Sequence, residues 1–208
     1  NEKEKETLIF PRYHQLDAVR KMISHTKEND AGHNYLIQHS AGSGKTKTIS
    51  WLAHKLAGLH TLYNVKIFDT IVVVSDRRVI DKQLRDEVLQ FQQVEGVVQA
   101  IDQHSSQLRD ALDTSKKIIV TTLQKFPFIV DEISKQSDKK FAVIIDEAHS
   151  SQTGESSKSL KKVLGSLEEA DVENIQEEEL TSEDIILKEL ESRGRQKNIS
   201  FFAFTATP

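Results

Sequence analysis

The sequence predicts an α/β fold, a mainly parallel sheet with helices on both faces, and three observations carry that prediction. A short apolar strand, Tyr35 to Ile37, runs into a glycine-bearing loop followed by apolar residues at helical spacing. Two runs, Thr70 to Val74 and Phe141 to Ile145, are apolar at nearly every position, the composition of strands buried on both faces. Between the candidate strands the pattern returns to helical spacing, and alternating strands and helices build right-handed βαβ units.

Taken in order, residues 1–9 read as a frayed N-terminus that opens on the charged stretch NEKEKET. Pro11 holds Phe10 extended, and Leu16, Val19, Met22 and Ile23 then mark one face of a helix ending near Asn29 to Gly32. Past the loop, Ile49, Leu52, Leu56 and Leu59 give a second helix, and Thr70 to Val74 a buried strand. Ile80, Leu84, Val88 and Phe91 predict a third helix, with a shorter strand over Gly96 to Ile101. Lys117 to Thr121 and Phe141 to Ile145 are read as further buried strands, and Phe201 to Phe204 as the last. No internal repeat is found. Leu160, Val163, Leu164 and Leu167 suggest a helix ahead of an acidic insertion, 168–192, read as partly disordered, and Ile186, Leu187 and Leu190 suggest another helix inside it.

A chain of 208 residues with 37% hydrophobic content can bury one sizeable core. It has no cysteine, which excludes disulfides and thiolate metal sites and fits a reducing cytoplasm. No segment approaches the apolar length of a membrane span, so no membrane partner is expected. The formal charge is −4, but 168–192 alone holds eleven acids against Lys188, a net of −10, which leaves the remainder at +6. A basic body with one acidic excursion is compatible with a phosphate-binding face, whereas the excursion itself reads as a solvated surface segment.

The stretch YLIQHSAGSGKT has the form of a phosphate cradle. Gly42 and Gly44 let backbone N–H groups turn toward an anion at the start of a helix, so Ser40, Ala41, Gly42, Ser43, Gly44, Lys45 and Thr46 form the candidate nucleotide-binding loop. Lys45 would reach the β- and γ-phosphates, and the Thr46 hydroxyl would hold Mg²⁺. The full P-loop pattern asks for a first glycine five places before Gly44, where this chain has His39. FAVIIDEAH delivers Asp146 and Glu147 at the C-terminal end of a strand, the edge where α/β sheets bind ligands. Asp146 is the candidate second metal ligand and Glu147 the group that would polarise an attacking water. An acidic pair after a strand could instead cap a helix; the glycine loop upstream favours the metal role, because phosphoryl transfer needs both halves.

GSGKT, DEAH at Asp146 to His149 and TAT at Thr205 to Thr207 resemble, in that order, motifs I, II and III of superfamily 2 DEAH-type helicases and translocases. FPRYHQLDAV, QHSAGSGKT, VVVSDRR, TTLQKF, DEAHSSQTG and SFFAFTATP together look like the first RecA-like motor domain of the restriction (R) subunit of type I restriction-modification enzymes. The resemblance spans Phe10 to Pro208 and implies one P-loop NTPase domain over 1–208. It implies ATP and Mg²⁺ as cofactors and, in the whole protein, ATP-driven translocation of double-stranded DNA leading to cleavage. The modification and specificity subunits would be partners in a bacterial cytoplasm. It places Gln15 where the family reads the adenine edge, and Asp76, Arg77, Arg78, Thr121, Thr122, Gln124 and Lys125 where it faces the DNA backbone. His149, Thr205 and Thr207 would couple nucleotide state to DNA grip, and the Phe201 to Phe204 strand would lie between the P-loop strand and the Asp146 strand. The chain ends directly after motif III, so the second RecA-like lobe and its arginine finger are expected outside it. Two alternatives stand: a lobe of another superfamily 2 DNA or RNA helicase, and a non-hydrolysing nucleotide-dependent interaction module whose acidic insertion recruits a partner.

Overall fold

A computed structural model of the chain describes residues 10–40, 42–75, 78–90, 97–101, 107, 110–112, 114, 116–122, 125–146 and 196–205. The elements are α1 (Tyr13–Asn29), β1 (Tyr35–Gln38), α2 (Lys45–Ala57), β2 (Thr70–Ser75), α3 (Arg78–Gln90), β3 (Val98–Ala100), β4 (Ile118–Thr122), α4 (Phe126–Ser134), β5 (Phe141–Asp146) and β6 (Ile199–Thr205). The six strands form one sheet in the order β1-β6-β5-β2-β4-β3, and every pairing is parallel. The last strand therefore sits between β1 and β5, as the family resemblance implied.

Period-2 alternation divides the strands between two cores. Ile71, Val73, Ala142, Ile144, Phe202 and Phe204 pack with Val19 and Met22 of α1, Leu52 and Leu56 of α2, and Leu84 and Val88 of α3. Val72, Val74, Val143, Ile145, Phe201 and Ala203 pack on the other face with Phe126, Ile129, Val130 and Ile133 of α4. Each central strand is thus apolar on both sides, which is why its sequence is a continuous run rather than an alternation. The helix α4 has no counterpart in the sequence reading, although Phe126, Ile129, Val130 and Ile133 stand at i, i+3, i+4 and i+7 and Pro127 lies in the first turn. The acidic insertion 168–192 lies outside the described residues.

The link from α1 to β1 is tied to β6. The Ser200 hydroxyl oxygen accepts from the Gly32 N–H at 2.9 Å and from the His33 N–H at 3.2 Å. Gly32 has φ +93°, and a Cβ there would lie 2.7 Å from the Lys197 carbonyl oxygen, so both conformation and space require glycine. Because all strands run the same way, Gln38, Thr205, Asp146, Ser75 and Thr122 end at one edge. Gln38 is in register with Thr205, and Ser75 is in register with both Asp146 and Thr122.

Candidate functional site

The loop after β1 rises from that edge and turns into α2. The His39 N–H donates to the Thr205 carbonyl at 2.7 Å, which carries the chain one step past β1 against β6 before it leaves the sheet. The Ser43 N–H then donates to Ser40 O at 3.1 Å, with Gly42 at φ 73° and Gly44 at φ 86°. Among the described non-glycine residues only Asp30 and Asn64 have positive φ. His39 is therefore in ordinary backbone geometry, and nothing in its conformation calls for the glycine of the full pattern.

Two elements grip the loop. From the first turn of α1, the His14 Nε2–H donates to Ser43 O at 3.1 Å, and Gln15 Nε2 donates to Ser43 O at 3.3 Å and Gly44 O at 2.9 Å. The other end of the Gln15 amide, Oε1, accepts from the Arg12 N–H at 2.8 Å. The buried amide that the resemblance assigns to the adenine edge thus also braces the loop. From below, His39 Nδ1 pairs with the Ser43 hydroxyl at 2.6 Å, its ring buried against Phe204 and edge-on to His14. Burial lowers the His39 pKa, and the neighbouring His14 and Lys45 lower it further, so the ring is neutral near pH 7. Sequence reasoning missed the loop-binding roles of His14 and His39; twenty-nine residues separate His14 from Ser43, and no local pattern reports such a contact.

Lys45 opens α2, and its Nζ lies 3.3 Å from Asp146 Oδ1, the side chains being 13% and 2% exposed. The loop lysine and the strand carboxylate, about a hundred residues apart in sequence, thus meet at one point. Thr46 follows Lys45 in the same first turn. A threonine hydroxyl and a buried carboxylate are the hard oxygen donors that Mg²⁺ takes, so the donor set fits the implied ion. Among the described residues no group of three His, Cys, Asp or Glu forms a metal site of another kind.

The other predicted residues divide. Ala41, Asp76, Arg77, Gln124, Glu147, His149 and Thr207 lie outside the described residues. Ser40 is exposed on the loop, Thr205 is buried at the end of β6, and Arg78 begins α3. Of the residues expected to face DNA, Thr121 is wholly buried, whereas Thr122 is partly exposed. Lys125 Nζ donates to Ile101 O at 2.9 Å, a bond within the fold.

The chain is similar to known proteins in sequence and in fold. The family model of the SWI2/SNF2 ATPase matches residues 14–169. The C-terminal part of a type I restriction enzyme endonuclease subunit, MpnIIP of Mycoplasma pneumoniae, is 32% identical over 158 residues, covering 69% of this chain and 73% of that protein. Among solved structures, the Type ISP restriction-modification enzyme LlaGI, a nuclease-deletion mutant in complex with a DNA substrate mimic, superposes with TM-score 0.58 at 16% identity. That match covers 98% of this chain but only 18% of LlaGI. The Pyrococcus furiosus Hef helicase domain matches with TM-score 0.52 at 15% identity, over 95% of this chain and 33% of that one. At these identities the structural likeness shows the fold, that of RecA-like helicase domains.

Proposed function

The chain belongs to the SWI2/SNF2 ATPase family and is related to a type I restriction enzyme subunit, and from that premise we propose that residues 1–208 form the first motor lobe of such a subunit, binding ATP with Mg²⁺. The observation that carries the reading is the approach of Lys45 Nζ to Asp146 Oδ1 at the mouth of the glycine loop. A lysine and an acid that pair without ligand are placed to separate around a nucleotide, the lysine turning to the phosphates and the acid to the metal. When bound, Mg²⁺ would neutralise charge on the β- and γ-phosphates. Thr46 and Asp146 would hold it, the N–H groups of the Gly42 to Thr46 turn would take the β-phosphate, and Glu147 would accept the proton of the attacking water.

In the whole protein, hydrolysis would drive translocation on double-stranded DNA and so lead to cleavage. Arg78 and Thr122 would touch the DNA backbone, Thr205, Thr207 and His149 would relay nucleotide state, and the modification and specificity subunits would be partners. A second RecA-like lobe would complete the site with an arginine finger, an addition worth about 10³–10⁵ in rate. Titration with a fluorescent ATP analogue in Mg²⁺ tests the reading. Wild type is expected to bind, Lys45→Ala and Asp146→Ala to bind at least tenfold more weakly, and steady-state turnover by the 208-residue chain to be slow. Binding indifferent to both substitutions would refute the site.

A further inference from the structure

Ser75 ends β2 at the same edge, wholly buried, and its hydroxyl has no hydrogen-bond partner. The other hydroxyl of that strand is satisfied, Thr70 Oγ1 donating to Lys116 O at 3.1 Å. Buried polar groups are nearly always paired, so an orphan beside a functional carboxylate calls for an explanation. Ser75 lies on the same rung as Asp146 of β5. Alternation from Val73 and Ile144 turns both side chains to the face covered by α1, α2 and α3, the face from which Lys45 reaches Asp146. Adjacent strands are about 4.8 Å apart, so the Ser75 hydroxyl is one side-chain rotation from the Asp146 carboxylate.

We propose that Ser75 is a positioning residue for Asp146: once Lys45 has turned to a phosphate, the Ser75 hydroxyl donates a hydrogen bond to the carboxylate and fixes the oxygen that meets the metal. The proposal rests on the nucleotide-site reading above. Carboxylates that ligate metals are themselves held by hydrogen bonds, and losing such a partner weakens metal binding about 10–100-fold. Nothing in β2 demands a hydroxyl otherwise, since the four residues before Ser75 are buried and apolar.

The test is a Mg²⁺ titration of fluorescent ATP analogue binding to the 208-residue chain carrying Ser75→Ala or Ser75→Thr, with Asp146→Ala as control and melting of the ligand-free proteins as a check on folding. Ser75→Ala is expected to need about tenfold more Mg²⁺ for half-saturation, with nucleotide binding in EDTA and the melting temperature unchanged, and Ser75→Thr to restore the wild-type value. A Ser75→Ala curve within twofold of wild type overturns the proposal while Asp146→Ala still abolishes the Mg²⁺ dependence, which leaves the nucleotide site standing. Equal losses in Ser75→Ala and Ser75→Thr overturn it in favour of packing. If wild type shows no Mg²⁺-dependent binding, the nucleotide reading fails and Ser75 falls with it.

Discussion

Gly44→Ala probes the grip of α1 on the loop more directly than any substitution of a charged residue. Gly44 has φ +86°, and a Cβ there would lie 2.5 Å from Gln15 Nε2, whereas Gly42, at φ +73°, has nothing within 4 Å of its Cβ position. Left-handed geometry costs an alanine about 1–2 kcal/mol at either position. At Gly44 the Gln15 side chain must also withdraw, giving up its bonds to Ser43 O and Gly44 O, each worth about 0.5–1.5 kcal/mol. Gly44→Ala should therefore destabilise by about 1–3 kcal/mol more than Gly42→Ala, read as a difference in urea unfolding free energy. A double-mutant cycle isolates the cause. In a Gly44→Ala background the Gln15 clamp is already lost, so the two losses should fall short of additivity by the same shared amount, about 1–3 kcal/mol. Equal costs at Gly42 and Gly44, or additivity of Gln15→Ala with Gly44→Ala, would refute the clamp.

Three further outcomes follow from the geometry. The lowered His39 pKa means that the folded chain takes up a proton less readily than the unfolded one, whose histidine titrates at about 6.5. Stability should fall as pH drops below that value, and urea unfolding of His39→Asn between pH 7.5 and 5.5 should show a shallower loss than wild type; equal slopes would remove His39 from the account. Gly32→Ala should destabilise by about 2–4 kcal/mol, the left-handed penalty plus a contact with the Lys197 backbone that has no flexible side chain to yield, measured by urea unfolding. Ser200→Ala leaves the Gly32 and His33 N–H groups without their acceptor and should cost about 1–3 kcal/mol, with protection of those two amides lost in hydrogen exchange.

How much was legible in the sequence follows from where the information lies. β2, β5 and β6 could be read because burial on both faces writes itself into consecutive residues, and the paired runs Ile71 to Val74 and Ala142 to Ile145 show it. The helix α4 carried its own signal, Phe126 to Ile133 at helical spacing, but the run FPFIV also satisfies a buried strand, and short apolar stretches do not separate the two by periodicity. Lys45 and Asp146 were legible as halves of one site because each belongs to a recognisable motif, GSGKT and DEAH. The bonds of His14 and Gln15 to the loop were not, since they depend on how α1 packs across α2.

His39 shows how a pattern can break without breaking its purpose. A P-loop needs glycine where the chain must turn through left-handed geometry, and here Gly42 and Gly44 meet that need while His39 lies outside it. The side chain at position 39 is free to do something else, and it is buried under the loop against Phe204 with Nδ1 on the Ser43 hydroxyl. Ser43 is then held by His39 through its side chain and by His14 and Gln15 through its carbonyl. On the proposed reading, a loop fixed at Ser43 from α1 and from its own first residue would keep its N–H groups aimed before an anion arrives, so less ordering would be required on binding. The missing glycine is therefore a substitution of one means of shaping the loop for another, and His39→Gly should loosen the loop rather than repair it, with weaker binding of the ATP analogue as the measurable consequence.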